Sequence, residues 1–135
     1  ILSLGNITPT EEEEGPLCDS DYKVCSEPVG WVGLTCKGNG PAIKFFISKN
    51  SEINYIYHVK LDEYKISTTH ISITRDTHNI LWAEADQVYK LARSDLSLRT
   101  GNPLVIQYQC FIEPINQVAR PLFEEISNAK SKNKL

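Results

Sequence analysis

Apolar and polar residues alternate with a period of two along most of this chain, and that alternation predicts strands. The cleanest run is Ile53, Tyr55, Tyr57, Val59 and Leu61, interleaved with Asn54, Ile56, His58 and Lys60. Successive side chains on a strand point to opposite faces, so the first set is expected in a core and the second in solvent. Ile43, Phe45 and Ile47 alternate in the same way with Lys44, Phe46 and Ser48. Residues 29–37 and 104–112 carry Val32, Leu34, Cys36 and Leu104, Ile106, Tyr108, Cys110 at every second place, which aims Cys36 and Cys110 into one core.

Turn-forming residues punctuate these runs: Gly38, Asn39, Gly40 and Pro41; Lys49 to Glu52; Asp76 to Asn79; and Thr100, Gly101, Asn102 and Pro103. Within residues 64–75 the phase slips, because Tyr64 and Ile66 are even whereas Ile71 and Ile73 are odd. Keeping all of them in one core requires a bulge near residues 67–69 or a break in the strand. Residues 80–92 are ambiguous, since Leu81, Ala85, Val88 and Ala92 also sit at helical spacing. The neighbouring strands favour two further strands, 79–84 and 87–92, with another short one starting near Leu96. After Pro114 the pattern changes. Residues 121–130 read as a helix opening on Pro121, with Glu124 and Glu125 in its first turn, lysines at its end, and Leu122, Phe123 and Ile126 as its apolar stripe.

Seven or eight short strands with turns every 8–12 residues predict a mainly β fold, a disulfide-bonded antiparallel β-sandwich with a short C-terminal helix. A β-barrel or an α+β arrangement is the alternative. The organisation divides into an acidic lead-in at 1–16, a β-rich domain at 17–113, and a C-terminal helix and basic tail at 114–135. At 135 residues, 41% hydrophobic and 23% charged, the chain fits one globular domain, and it has no apolar run long enough to span a bilayer.

The four cysteines lack metal-site spacing and fit two disulfides. Their separations pair Cys18 with Cys25 and Cys36 with Cys110, although the other two connectivities stay open. An Asn6-Ile7-Thr8 glycosylation acceptor agrees with an oxidising compartment, secreted or luminal. The chain opens on Ile1 and contains no methionine, which fits a processed piece whose signal peptide has been removed.

The net charge of −3 is unevenly spread. Residues 1–28 hold seven acids, including Glu11, Glu12, Glu13 and Glu14, against one lysine; residues 29–126 balance ten acids with ten bases; the last nine residues add three lysines. No basic stripe follows a phosphate backbone, which disfavours nucleic acid as a partner.

Leu34-Thr35-Cys36 and Tyr108-Gln109-Cys110 resemble the second and sixth strands of an immunoglobulin-like domain, with Tyr108 two residues before the second cysteine. The resemblance covers about residues 29–113 and implies a two-sheet sandwich with an inter-sheet disulfide. It departs from the family in lacking the third-strand tryptophan, where Phe45 or Phe46 stands instead.

Candidate chemistry is sparse. His58, His70 and His78 fall on predicted polar faces or in a turn, without metal-ligand spacing. Asp19 and Asp21 resemble the start of a calcium loop, but its downstream glycine and glutamate are missing. No nucleophile elbow or phosphate loop occurs, and no cofactor is implied. Six tyrosines, two tryptophans and four phenylalanines exceed what a small core must bury, so some are expected at an interface. Tyr22, Phe46, Tyr89 and Phe111 are the candidates. The expected function is a secreted, non-catalytic protein that recognises a protein partner, with self-association open. A carrier of a small apolar ligand or lipid is the alternative, and a hydrolytic enzyme such as a ribonuclease the third reading.

Overall fold

The computed structural model describes residues 15–132, so Asn6 and the four consecutive glutamates lie outside the described residues. Among the described residues, eleven strands and one helix follow in order. A small hairpin pairs β1 (Cys18–Asp19) with β2 (Val24–Cys25). The other nine form one antiparallel sheet: β3 (Trp31–Lys37), β4 (Ile43–Ser48), β5 (Tyr55–Asp62), β6 (Lys65–Ser72), β7 (Thr74–Arg75), β8 (Asn79–Glu84), β9 (Gln87–Ala92), β10 (Ser97–Gly101) and β11 (Ile106–Glu113). The helix α1 (Ile115–Lys132) closes the chain. The fold is therefore mainly β, antiparallel and disulfide-bonded, with a single C-terminal helix.

The spatial order is β6-β5-β4-β3-β11-β10-β9-β8-β7, a meander except that the last strand sits between β3 and β10. The sheet curls until β6 lies against β8. Its opposed halves face one another as in a sandwich, while the hydrogen bonding runs on around the bend as in a nearly closed barrel. Side-chain bonds tie the two ends: Arg75 on β7 donates from Nη2 to the carbonyls of Ser48 at 3.0 Å and Ile53 at 3.1 Å.

Two cores result, one on each face of the sheet. The lumen holds Leu34, Cys36, Phe45, Ile47, Ile56, Ile71, Ile80, Trp82, Tyr89, Leu91, Leu98 and Cys110. On the outer face, α1 lays Ile115, Val118, Ala119, Leu122, Phe123 and Ile126 over Trp31, Phe46, Val59 and Ile66. This second core corrects several expectations. The alternate face of β5 is not solvated, because Ile56 and His58 are buried in the lumen while Val59 is buried under the helix. The phase slip in β6 needs no bulge. All eight residues of β6 pair in unbroken register with β5, and Ile66 simply faces the helix whereas Ile71 faces the lumen. The helix starts six residues earlier than predicted, at Ile115, and Pro121 lies inside it.

Both disulfides pair as expected, Cys18 with Cys25 and Cys36 with Cys110. Cys36 and Cys110 are directly opposed on β3 and β11, so this bridge joins neighbouring strands of one sheet. Among the described residues no helix is long and apolar enough to cross a membrane.

Candidate interaction surface

Of the four aromatic residues proposed for an interface, two are at the surface. Tyr22 is 80% exposed and Phe111 49%. Phe46 is fully buried beneath the helix and Tyr89 is buried in the lumen, which corrects both expectations. Each was assigned to a solvent face that is in fact the floor of a core.

Tyr22 belongs to the β1–β2 hairpin, a loop too small to own a core. The disulfide closes it, and the Asp19 carboxylate accepts hydrogen bonds from the Asp21 and Tyr22 amides at 2.9 and 3.2 Å, forming a tight Asx turn. Asn116, in the first turn of α1, then holds it to the body. Its Oδ1 accepts from Cys25 N–H at 2.7 Å, and its Nδ2 donates to the Cys25 carbonyl at 2.9 Å and to Glu27 at 2.7 Å. Glu27 also accepts from the Asn116 amide at 3.1 Å, satisfying one of the free N–H groups at the helix start and placing a negative charge at the positive end of the dipole. Across the hairpin, Ser20 Oγ accepts from Ile66 N–H on β6 at 3.1 Å.

Between hairpin and helix runs a groove of about 460 Å³. Lys23 and Val24 form one bank; Asn116, Arg120, Phe123, Glu124, Ser127 and Asn128 form the other. The helical set recurs every three to four residues and is thus one stripe of α1. The groove continues into a second cleft of about 420 Å³ that shares Lys23 and Ser127 and adds Lys130. Exposed apolar side chains stand on the hairpin, Leu17 at 63%, Tyr22 at 80% and Val24 at 48%. The edge of Phe123 supplies an apolar floor. Phe111 stands on β11 and does not line this groove.

The densest polar chemistry lies instead inside the barrel. His58 was expected on a polar face, but it is buried, with its ring 4.7 Å from that of Phe45 and its Nδ1 2.6 Å from Glu84 Oε1. Burial pushes the imidazole below its ordinary value, although Glu84 pulls it the other way. The ring is therefore neutral at pH 7, and because Glu84 is ionised, Nδ1 carries the hydrogen and donates it. For Glu84, burial favours the protonated form, yet the His58 bond and the Lys60 ammonium 3.2 Å from Oε2 outweigh it and hold the carboxyl below its usual range. Trp82 stacks on Tyr89 at 5.2 Å beside this cluster and meets Phe45 edge-on at 5.3 Å, so aromatic rings fill this part of the lumen.

The three histidines are not brought together. His58 faces the lumen, His70 stacks on Tyr55 on the outer face at 4.4 Å, and His78 lies in the turn before β8. Among the described residues no group of three or more metal-ligating side chains gathers. Of the acidic hairpin pair, the Asp19 carboxylate serves the turn itself, and Asp21 contributes its amide. The groove was not legible in the sequence, because its banks are 91 positions apart at Cys25 and Asn116. The one available signal is the stripe 116, 120, 123, 127, which a helix opening on Pro121 cuts short.

Comparison with protein-family models, with curated proteins and with solved structures finds no match for this chain.

Proposed function

We propose that this protein is a secreted or luminal, non-catalytic binding protein that recognises a protein partner through the groove between the disulfide hairpin and α1. One observation carries the reading: a multiply anchored hairpin holds Tyr22, Val24 and Leu17 out of the core, and Val24 lines a groove floored by Phe123. Pre-ordered apolar side chains lose little entropy on binding, and tyrosine is a frequent interface anchor. The two disulfides support an oxidising compartment. The carrier reading has less behind it, since Phe45, Trp82, Tyr89, Leu91 and Leu98 occupy the lumen in which a ligand would sit.

Screening the intact, disulfide-bonded chain against an array of extracellular and luminal proteins tests the proposal, with Tyr22→Ala combined with Val24→Ser as the control. A bona fide partner should lose at least about tenfold in affinity on that change, as for a central anchor. Partners that bind both forms equally would place recognition elsewhere.

A further inference from the structure

The helix covers only half of the outer sheet, and the bare half, β8 to β11, carries an unusual juxtaposition. Lys90 and Arg99 are directly opposed across β9 and β10, both exposed and both on the outer face. The cross-strand row through them reads Leu81, Lys90, Arg99, Gln107, without a carboxylate. Directly opposed side chains stand about 5 Å apart at Cβ, close enough that like charges there destabilise a sheet. Among the described residues neither cation has an ion-pair partner within 4.0 Å. Asp76 and Asp95, whose charges reach Lys90 and Arg99 only at longer range, are committed to backbone amides: Asp76 to His78 and Asn79, Asp95 to Ser97.

The two cations border a cleft of about 230 Å³ lined by Asn79, Lys90, Ala92, Ser97 and Arg99. Every polar side chain in that set can donate a hydrogen bond, and none is an acid. We propose that this cleft binds the oxyanion of a sulfate or phosphate ester, held by Lys90 and Arg99 with Asn79 and Ser97 as neutral donors. The anion relieves the repulsion between the opposed cations and gives each a charge-assisted partner, and the arginine fork matches two oxygens of a tetrahedral anion. The site lies on a different part of the molecule from the hairpin groove and does not depend on it.

The test is a titration of the isotope-labelled, disulfide-bonded chain with phenyl sulfate and, separately, phenyl phosphate, followed by amide chemical shifts at constant ionic strength. Saturable shifts centred on Asn79, Lys90, Ser97 and Arg99 are expected, and the tighter ester identifies the source of the anion. Arg99→Gln and Lys90→Gln should each weaken binding about tenfold. In buffer without either ester, each variant should melt at or above the parent temperature, because the repulsion is gone. Shifts spread over all basic residues, binding unchanged in Arg99→Gln, or a lower melting temperature in both ligand-free variants would each overturn the proposal.

Discussion

Gly33 is where the sheet meets its helix, and adding one methyl there tests the two-core arrangement. An alanine Cβ at this position would collide with Cγ2 of Val118 and sit 3.0 Å from the Glu113 carbonyl. Neither neighbour can easily give way. Val118 is completely buried, a valine on a helix is held to essentially one rotamer, and the carbonyl belongs to the paired strand β11. Gly33→Ala should therefore destabilise the protein by about 1–3 kcal/mol, the usual cost of overpacking. Val118→Ala alone removes two methyls from the core and should cost about 2 kcal/mol. In the double variant the new methyl occupies space the valine has vacated, so the loss should fall short of the sum by about 1–2 kcal/mol. Urea unfolding of all four forms under oxidising conditions measures the cycle. Strict additivity, or a Gly33→Ala protein as stable as the parent, would refute the close docking of α1 on β3.

Three further outcomes follow from features already described. Since burial lowers the His58 pKa, protonation favours the unfolded chain: the stabilisation due to the neutral ring is complete above the unfolded imidazole value near 6.5 and is lost as pH falls from there through the lower folded value. The urea midpoint should thus fall between pH 7.5 and 5, and His58→Gln should flatten that slope; an unchanged slope removes His58 as its source. Replacing Cys36 and Cys110 by alanine should cost about 4.5 kcal/mol from loop entropy, against about 2.5 kcal/mol for Cys18 and Cys25, because the loops differ by 74 to 7 in separation; equal losses would contradict that ranking. Asn116→Ala should cost about 2 kcal/mol and expose the hairpin amides to hydrogen exchange, starting with Cys25, whereas protection kept at Cys25 would show that the hairpin holds without this anchor.

Strand positions were largely legible because alternation is a local signal. The segments 43–48, 79–84 and 87–92 match the observed strands, and the helical reading of 80–92 gave way to its neighbours. The destination of each face was not legible. Alternation says that Phe45 and Phe46 point oppositely; it cannot say that a helix beginning 69 residues later, at Ile115, will bury the second. The same blindness hid Ile66, His58 and Tyr89, and it turned the β6 phase change into an imagined bulge. For the site, Tyr22 was readable as an aromatic in a turn-rich, disulfide-closed loop. Its groove depends on the Asn116 anchor and on the true helix start, which Pro121 obscured.

The place of β11 at the middle of the sheet, although it is the last of the described strands in sequence, bears on how the chain folds. Until residues 106–113 emerge, β3 and β10 each present a long row of unpaired backbone groups. A nascent or truncated chain ending near residue 105 would hold two half-sheets with open edges, the situation in which strands recruit one another between molecules. The strand that joins the two half-sheets is thus the last of the nine in sequence, and their facing edges stay open until it is made.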